Sequence, residues 1–343
     1  MNLKKGSSFF IVIFSLFISI PVLAEEKLVF VVDLIRHGDR TPLLSLPRSA
    51  FVWKEGLGEL TAQGKDQEIK LGKALRKQYV YHDHLLPKLY QPSTVYVGST
   101  PVRRTIMSAD EFLIGLYPLN TRAKEDHPIP IHVFSNQEEK LLMAKPSKSL
   151  FSRVKDYLAY KWAWKKESKR LHGKLALWRE QTGLPLNNFK QLDLLADELY
   201  IRQLHHIPLP QGMSSQDAHE IMSLGESNII RKFKSKEASY PMGQAFLNMI
   251  NHYLTLAAEQ KTTLKYVLLS GHDSSIMSVM TRLQSPLEHI PPYASHLNFS
   301  LFKNGSEYTV KVSYNSQPVT LPGCERYRCR LSQWNSVVRD VQH

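Results

Sequence analysis

The segment Leu28-Val29-Phe30-Val31-Val32-Asp33-Leu34-Ile35 constrains this chain more than any other. It is apolar, rich in β-branched side chains and does not alternate with polar residues. Such a run belongs to a strand buried on both faces, as in a parallel sheet covered by helices on either side. It ends in Arg36-His37-Gly38-Asp39-Arg40-Thr41-Pro42, where glycine and proline mark a loop. Ligands of open α/β sheets bind beyond the carboxyl ends of the strands, so chemistry is expected in this loop.

The pattern recurs. Thr61 is placed to cap a helix that carries Ile69, Gly72, Leu75 and Tyr79 on one stripe. Residues 94–97 form a second short strand, leading into Gly98-Ser99-Thr100-Pro101. A helix then starts near Arg104, faces inward with Ile106, Ala109, Leu113 and Leu116, and ends at Pro118. A third strand, residues 265–270, runs into Gly271-His272-Asp273, with a helix from Ser274 onward. Three strand–loop–helix units predict an α/β fold. Alternating runs around Asn304-Gly305 predict a hairpin within residues 296–314.

Between residues 136 and 235 the strand signals fade. Residues 151–179 read as basic helix bearing Trp162, Trp164 and Trp178. The expected organisation is an α/β core in two parts, 25–135 and 236–343, around a mostly helical cap at 136–235. The tryptophans read as packing; a membrane-surface role for this basic helix is the sharper alternative.

Residues 1–24 read as a secretory signal. Lys4 and Lys5 precede twelve residues, Phe9 to Ile20, interrupted only by Ser15 and Ser19, and Ala24 ends a short small-residue stretch. The expected destination is periplasmic or secreted, without stable membrane insertion. Removing the signal leaves 42 basic and 31 acidic residues, a balance that favours anionic partners. The only two cysteines, Cys324 and Cys329, read as a disulfide closing a small loop in an exported protein.

The loop after the first strand has the residue types for phosphoryl chemistry. Arginine presents a planar fork that matches phosphate oxygens. Histidine can take a phosphoryl group and pass it on. Arg36 and Arg40 flank His37, so a further positive charge on the imidazole is disfavoured and its pKa is expected to fall.

The string Arg36, His37, Gly38, Arg40 and Pro42 resembles the active-site motif of the histidine acid phosphatase family, a branch of the histidine phosphatase superfamily. Thr100-Pro101-Val102-Arg103-Arg104-Thr105 is similar to the family segment that delivers a third arginine, with Arg104 the counterpart and Arg103 where an acidic residue is usual. His272-Asp273 resembles the family's His-Asp pair. Gly58-Glu59-Leu60-Thr61, Pro291-Pro292-Tyr293-Ala294-Ser295 and Leu321-Pro322-Gly323-Cys324 look like segments of the animal-type enzymes. The resemblance implies a mixed α/β sheet with helices on both faces and a smaller helical domain. It implies His37 as nucleophile, Arg36, Arg40, Arg104 and His272 as phosphate ligands, and Asp273 as proton donor. It implies no cofactor and no metal, since the arginines supply the positive charge.

The expected substrates are small phosphomonoesters, with phosphoproteins and lipid phosphates open, as is a homodimer. A phytase-like inositol phosphate phosphatase is the enzymatic alternative, although Ser274-Ser275 follows His272-Asp273 where phytases typically place asparagine after a His-Asp-Thr string. A non-catalytic anion- or membrane-binding protein on the same fold is the alternative of another class. His82-Asp83-His84 offers too few ligands for a metal site. His132 and His205-His206 read as structural. No recognised nucleic-acid module occurs.

Overall fold

The computed structural model describes residues 26–122, 128–142 and 150–339; the predicted signal segment, 1–24, lies outside the described residues. In chain order the elements are β1 (Lys27–Arg36), α1 (Ala62–Arg76), β2 (Val95–Ser99), α2 (Arg103–Leu116), β3 (His132–Val133), α3 (Asn136–Leu142), α4 (Leu150–Arg170), α5 (His172–Thr182), α6 (Phe189–Leu204), α7 (Ser215–Lys234) and α8 (Lys236–Ala258). They continue with β4 (Tyr266–Gly271), α9 (Asp273–Arg282), β5 (His296–Asn304), β6 (Glu307–Tyr314), β7 (Gln317–Pro318), β8 (Cys329–Arg330) and α10 (Leu331–Arg339).

The sheet is mixed, in the order β3-β2-β4-β1-β5-β6-β7, with β8 also pairing β6. β1 lies between β4, to which it is parallel, and β5, to which it is antiparallel. The register sets Arg36 beside Gly271 and Ser99 beside Ser270. The loops after β1, β2 and β4 therefore leave one edge of the sheet together.

Successive strand residues point to opposite faces. Phe30, Val32 and Leu34 join Val267 and Leu269 in a core completed by residues of α8, α9 and α10, such as Phe246, Ile276 and Trp334. Val31 and Ile35 join Val97 and Leu268 in a second core, completed by Leu75 of α1 and by Phe112 and Leu113 of α2. Burial of both faces is why β1 reads as an unbroken apolar run. Thr61 caps α1, its side chain accepting from the Gly64 amide. α1 and α2 approach closely at Gly72 and Gly115, where an added Cβ would lie 2.1 Å from the Phe112 carbonyl oxygen and 2.2 Å from that of Ile69. Ile106, expected inward, is only half-buried.

Helices α3 to α7 occupy the segment where strand signals fade. Of these, α4 to α7 carry a third core in which Trp164 and Trp178 pack with Leu175, Phe189, Leu192 and Leu199, joined by Leu46 from the loop after β1. The tryptophans divide: Trp164 and Trp178 are interior, whereas Trp162 is exposed.

The hairpin turn falls one residue later than Asn304-Gly305 suggests. Asn304 pairs with Glu307, so Gly305 and Ser306 make the turn, and Gly305 takes the left-handed φ of +58° that glycine adopts without steric cost. Cys324 and Cys329 form a disulfide with Cα atoms 4.8 Å apart, and Cys329 is buried beside β6. Closing so short a loop restricts the unfolded chain by about 2 kcal/mol. Replacing both cysteines by serine is expected to lower the unfolding free energy by about that amount with activity unchanged. Denaturant unfolding beside a rate assay checks this; an activity loss larger than the stability loss would contradict it.

Candidate active site

His37 stands at the end of β1, almost wholly buried. Its Nδ1 lies 2.8 Å from the Gly38 carbonyl oxygen. A carbonyl can only accept, so the proton resides on Nδ1 and Nε2 keeps its lone pair. Burial holds the imidazole pKa well below its ordinary value, and the charges of Arg36, Arg104 and His272 add to the effect. The direction agrees with the sequence reading but the cause differs: desolvation leads, and Arg104, rather than Arg40, is the second arginine.

The loop that carries His37 is held from behind. The Gly38 amide donates to Ser108 Oγ of α2 at 3.1 Å. Gly38 and Gly64 interlock, since a Cβ on Gly38 would lie 2.3 Å from the Gly64 carbonyl oxygen. Glu68 of α1 is fully buried, and burial pushes its carboxyl pKa well above the usual range. A buried carboxyl without a cationic partner is stable as the neutral acid.

The three arginines differ in their engagements. Arg36 donates through Nη1 to the Pro291 carbonyl, forms an ion pair through Nη2 with Asp273 Oδ2 at 3.1 Å, and lies 4.2 Å over the Tyr293 ring. Arg40 directs both terminal nitrogens at Asp197 of α6, at 2.9 and 3.0 Å. Arg104 approaches the Gly58 carbonyl at 3.5 Å, and burial followed by repulsion from Arg40 lowers its pKa to about 10. The Nε atoms of all three are buried and have no acceptor among the described residues. Arg103, the basic residue where an acidic one is usual, turns outward: its side chain is 77% exposed and meets Glu59 at 3.7 Å.

The loop after β4 completes the cluster. The His272 ring lies 5.6 Å from that of His37, and its Nε2 is 3.2 Å from Thr100 Oγ1. Burial and Arg104 lower the His272 pKa to about 4. Asp273 opens α9, where its Oδ1 accepts from the Ser274 amide at 2.6 Å. Burial alone would raise its pKa, but Arg36, His272 and Arg40 outweigh burial and hold the carboxyl below its ordinary value. A helix N-terminus favours the anion further. All six residues predicted from the loops, Arg36, His37, Arg40, Arg104, His272 and Asp273, thus converge on one sheet edge, with Arg40 forked onto a carboxylate.

Several contributors carry no local signal in the sequence. Asp197 is an acidic residue on a helix 157 positions from its partner. His205, read as structural and without a partner pattern, places Nε2 2.7 Å from Oδ2 of the fully buried Asp39, which also accepts from Thr61 Oγ1 at 2.5 Å. Tyr200 of α6 lies 6.4 Å from Tyr293. Asp197 and His205, the residue that follows α6, hold this end of the helix against the loop after β1, while Tyr200 faces the segment before β5. Among the described residues no group of three or more His, Cys, Asp or Glu side chains is arranged to hold a metal ion.

The comparisons with known proteins agree with this geometry. The chain is 30% identical to human prostatic acid phosphatase over 342 residues, covering 93% of this chain and 86% of that one. It is 28% identical to human lysosomal acid phosphatase over 340 residues, covering 94% and 79%. Among solved structures, the phytase from Citrobacter braakii shares the fold with a TM-score of 0.69 at 17% identity, over 92% of this chain and 98% of that one. Residues 27–315 match the model of one family from the first strand through the β5–β6 hairpin, and so the chain belongs to the histidine phosphatase superfamily (branch 2).

Proposed function

We propose that this protein is an acid phosphatase that hydrolyses phosphate monoesters through a phosphohistidine formed on Nε2 of His37. The observation that carries the reading is a buried imidazole, its pKa held well below the ordinary value, whose Nδ1 faces the Gly38 carbonyl and which is set among guanidinium groups with Nε atoms unpartnered among the described residues. Relatives named acid phosphatases, which match over nine-tenths of the chain, support it.

In the proposed reaction Arg36, Arg104 and His272 hold the phosphoryl oxygens, and Arg40 contributes from its pairing with Asp197. Nε2 of His37 attacks phosphorus, the ester P–O bond breaks, and Asp273 gives its proton to the leaving oxygen. Water then attacks phosphorus as Asp273 takes a proton from it, the bond between phosphorus and Nε2 of His37 breaks, and phosphate leaves. The fixed donors stabilise the charge that develops on the equatorial oxygens.

A carboxyl held below its ordinary pKa needs a reason to carry a proton. Arriving phosphate oxygens compete with Asp273 for Arg36 and place negative charge beside it, which raises its proton affinity. The three arginines face two direct carboxylate partners, Asp197 and Asp273, leaving one net positive charge. A substrate monoanion matches that charge and brings the proton with it, which favours turnover under acidic conditions. His37, its pKa depressed, stays neutral there.

We infer that residues 136–235 act as a cap over this site, and that the protein is exported to the periplasm or medium, supported by the pattern of residues 1–24 and by the disulfide. Among the described residues no helix is long and apolar enough to cross a membrane. Vanadate, which adopts the five-coordinate geometry of phosphoryl transfer, is expected to inhibit strongly, whereas chelators leave the rate unchanged. Activity lost to a chelator and restored by a divalent ion would overturn the mechanism. A panel of aryl, sugar and inositol phosphates assigns the substrate: turnover confined to inositol hexakisphosphate would make the protein a phytase.

A further inference from the structure

The outer face of α4 bears no relation to the catalytic machinery. Tyr160 and Trp164 pack on Phe189 of the cap at 5.7 and 5.1 Å, which fixes the inward side of the helix. Val154, Leu158 and Trp162 follow one another at four-residue spacing, a single stripe on the opposite side. They are 48%, 58% and 66% exposed. Lys161, Lys165 and Lys169 run beside this stripe at the same spacing, and Lys155 and Lys166 flank its other edge, all exposed. The acidic residues of the helix, Asp156 and Glu167, lie eleven positions apart on the far side, and Glu167 pairs with Arg170 at 2.6 Å.

We propose that this face of α4 is a docking surface for anionic lipid bilayers, on which the enzyme rests peripherally. Two independent features select a membrane over other occupants. Five lysines without an acid among them complement a negative surface. Three exposed apolar side chains, one a tryptophan, sit between those lysines, and this combination suits a helix lying in the headgroup region. An apolar protein partner would not require the lysines, and a nucleic acid would not require Val154 and Leu158. The excess of basic residues over the whole chain adds a longer-range attraction of the same sign.

The test is sedimentation of protein recovered from the exported fraction with vesicles of phosphatidylcholine alone or containing about one-third phosphatidylglycerol. Binding is expected only to the anionic vesicles and to weaken as salt rises. Each lysine near an anionic surface contributes about fivefold in affinity, so Lys161→Gln, Lys165→Gln and Lys169→Gln together are expected to weaken binding about a hundredfold. Trp162→Ala is expected to weaken it about tenfold. Neither set alters hydrolysis of a soluble ester, which shows that the fold is intact. The comparison variant Lys70→Gln, Lys73→Gln, Lys77→Gln, on the exposed side of α1 and at the residue that caps its C-terminus, keeps wild-type binding. An equal loss in that variant would mean that diffuse charge, not this face, attracts the vesicles. Equal binding to neutral vesicles, or retention by duplex DNA with no vesicle binding, would also overturn the proposal.

Discussion

His37→Ala is expected to abolish phosphate release, with kcat falling about 10⁴-fold or more, while the protein remains folded. The size follows from the role: removing a covalent nucleophile removes the route, and only the residual effect of the surrounding donors is left. The stability change has a sign of its own. The folded-state pKa of His37 lies well below the unfolded value because burial and the charges of Arg36 and Arg104 disfavour the imidazolium. As pH falls below about 6.5 the unfolded chain binds a proton that the folded chain refuses, so the native imidazole destabilises the fold progressively in that window. Alanine removes this penalty. The melting temperature of the variant relative to wild type should therefore be higher at pH 5 than at pH 8. A difference of the opposite sign would mean that His37 is protonated in the folded enzyme, which no nucleophile can be.

Asp273→Asn is expected to slow the first step by about 10²–10⁴-fold for alkyl phosphates and far less for nitrophenyl phosphate. An alkoxide is a poor leaving group unless protonated, whereas a nitrophenolate departs nearly unaided. Asparagine keeps the size of the side chain but cannot donate the acidic proton. It also leaves Arg36 without its anionic partner, so phosphate should bind the variant at least as tightly as wild type. Hydrolysis of the intermediate can mask the contrast in steady state, so phosphorylation is followed by rapid mixing. Equal slowing for both ester types would assign Asp273 to organising the site and the proton to another group.

The strand ends were legible because the signal is local. An apolar run that stops at Arg36-His37-Gly38, and another that stops at Gly271-His272-Asp273, needs only the strand period and the rule that open sheets bind ligands at their carboxyl ends. The mixed character of the sheet follows less directly: β5 reverses direction beside β1, and only the resemblance to the family implied it. Asp197 could not be found, since an acidic residue on an amphipathic helix reads as solvated and its pairing with Arg40 exists only after α6 docks. The neighbours of His37 differ from those its sequence position suggests for the same reason: Arg40 turns to α6, and Arg104 arrives from the first turn of α2. Glu68 reads as one more surface acid on α1, yet the glycine contacts that draw α1 onto α2 bury it completely. His205 and Asp39 are 166 positions apart, and neither has a neighbour that announces the other. Packing between distant segments decides all four.

The measurement that bears most directly on the central claim is the chemical identity of the phosphoenzyme. Quenching the enzyme with radiolabelled monoester during the first turnover should trap a label that is stable in base and lost in acid. Peptide mapping should place it on His37, on Nε2, because Nδ1 is held by the Gly38 carbonyl. A label on any other residue, or alcohol and phosphate released together in the first turnover with no labelled protein, would contradict the account.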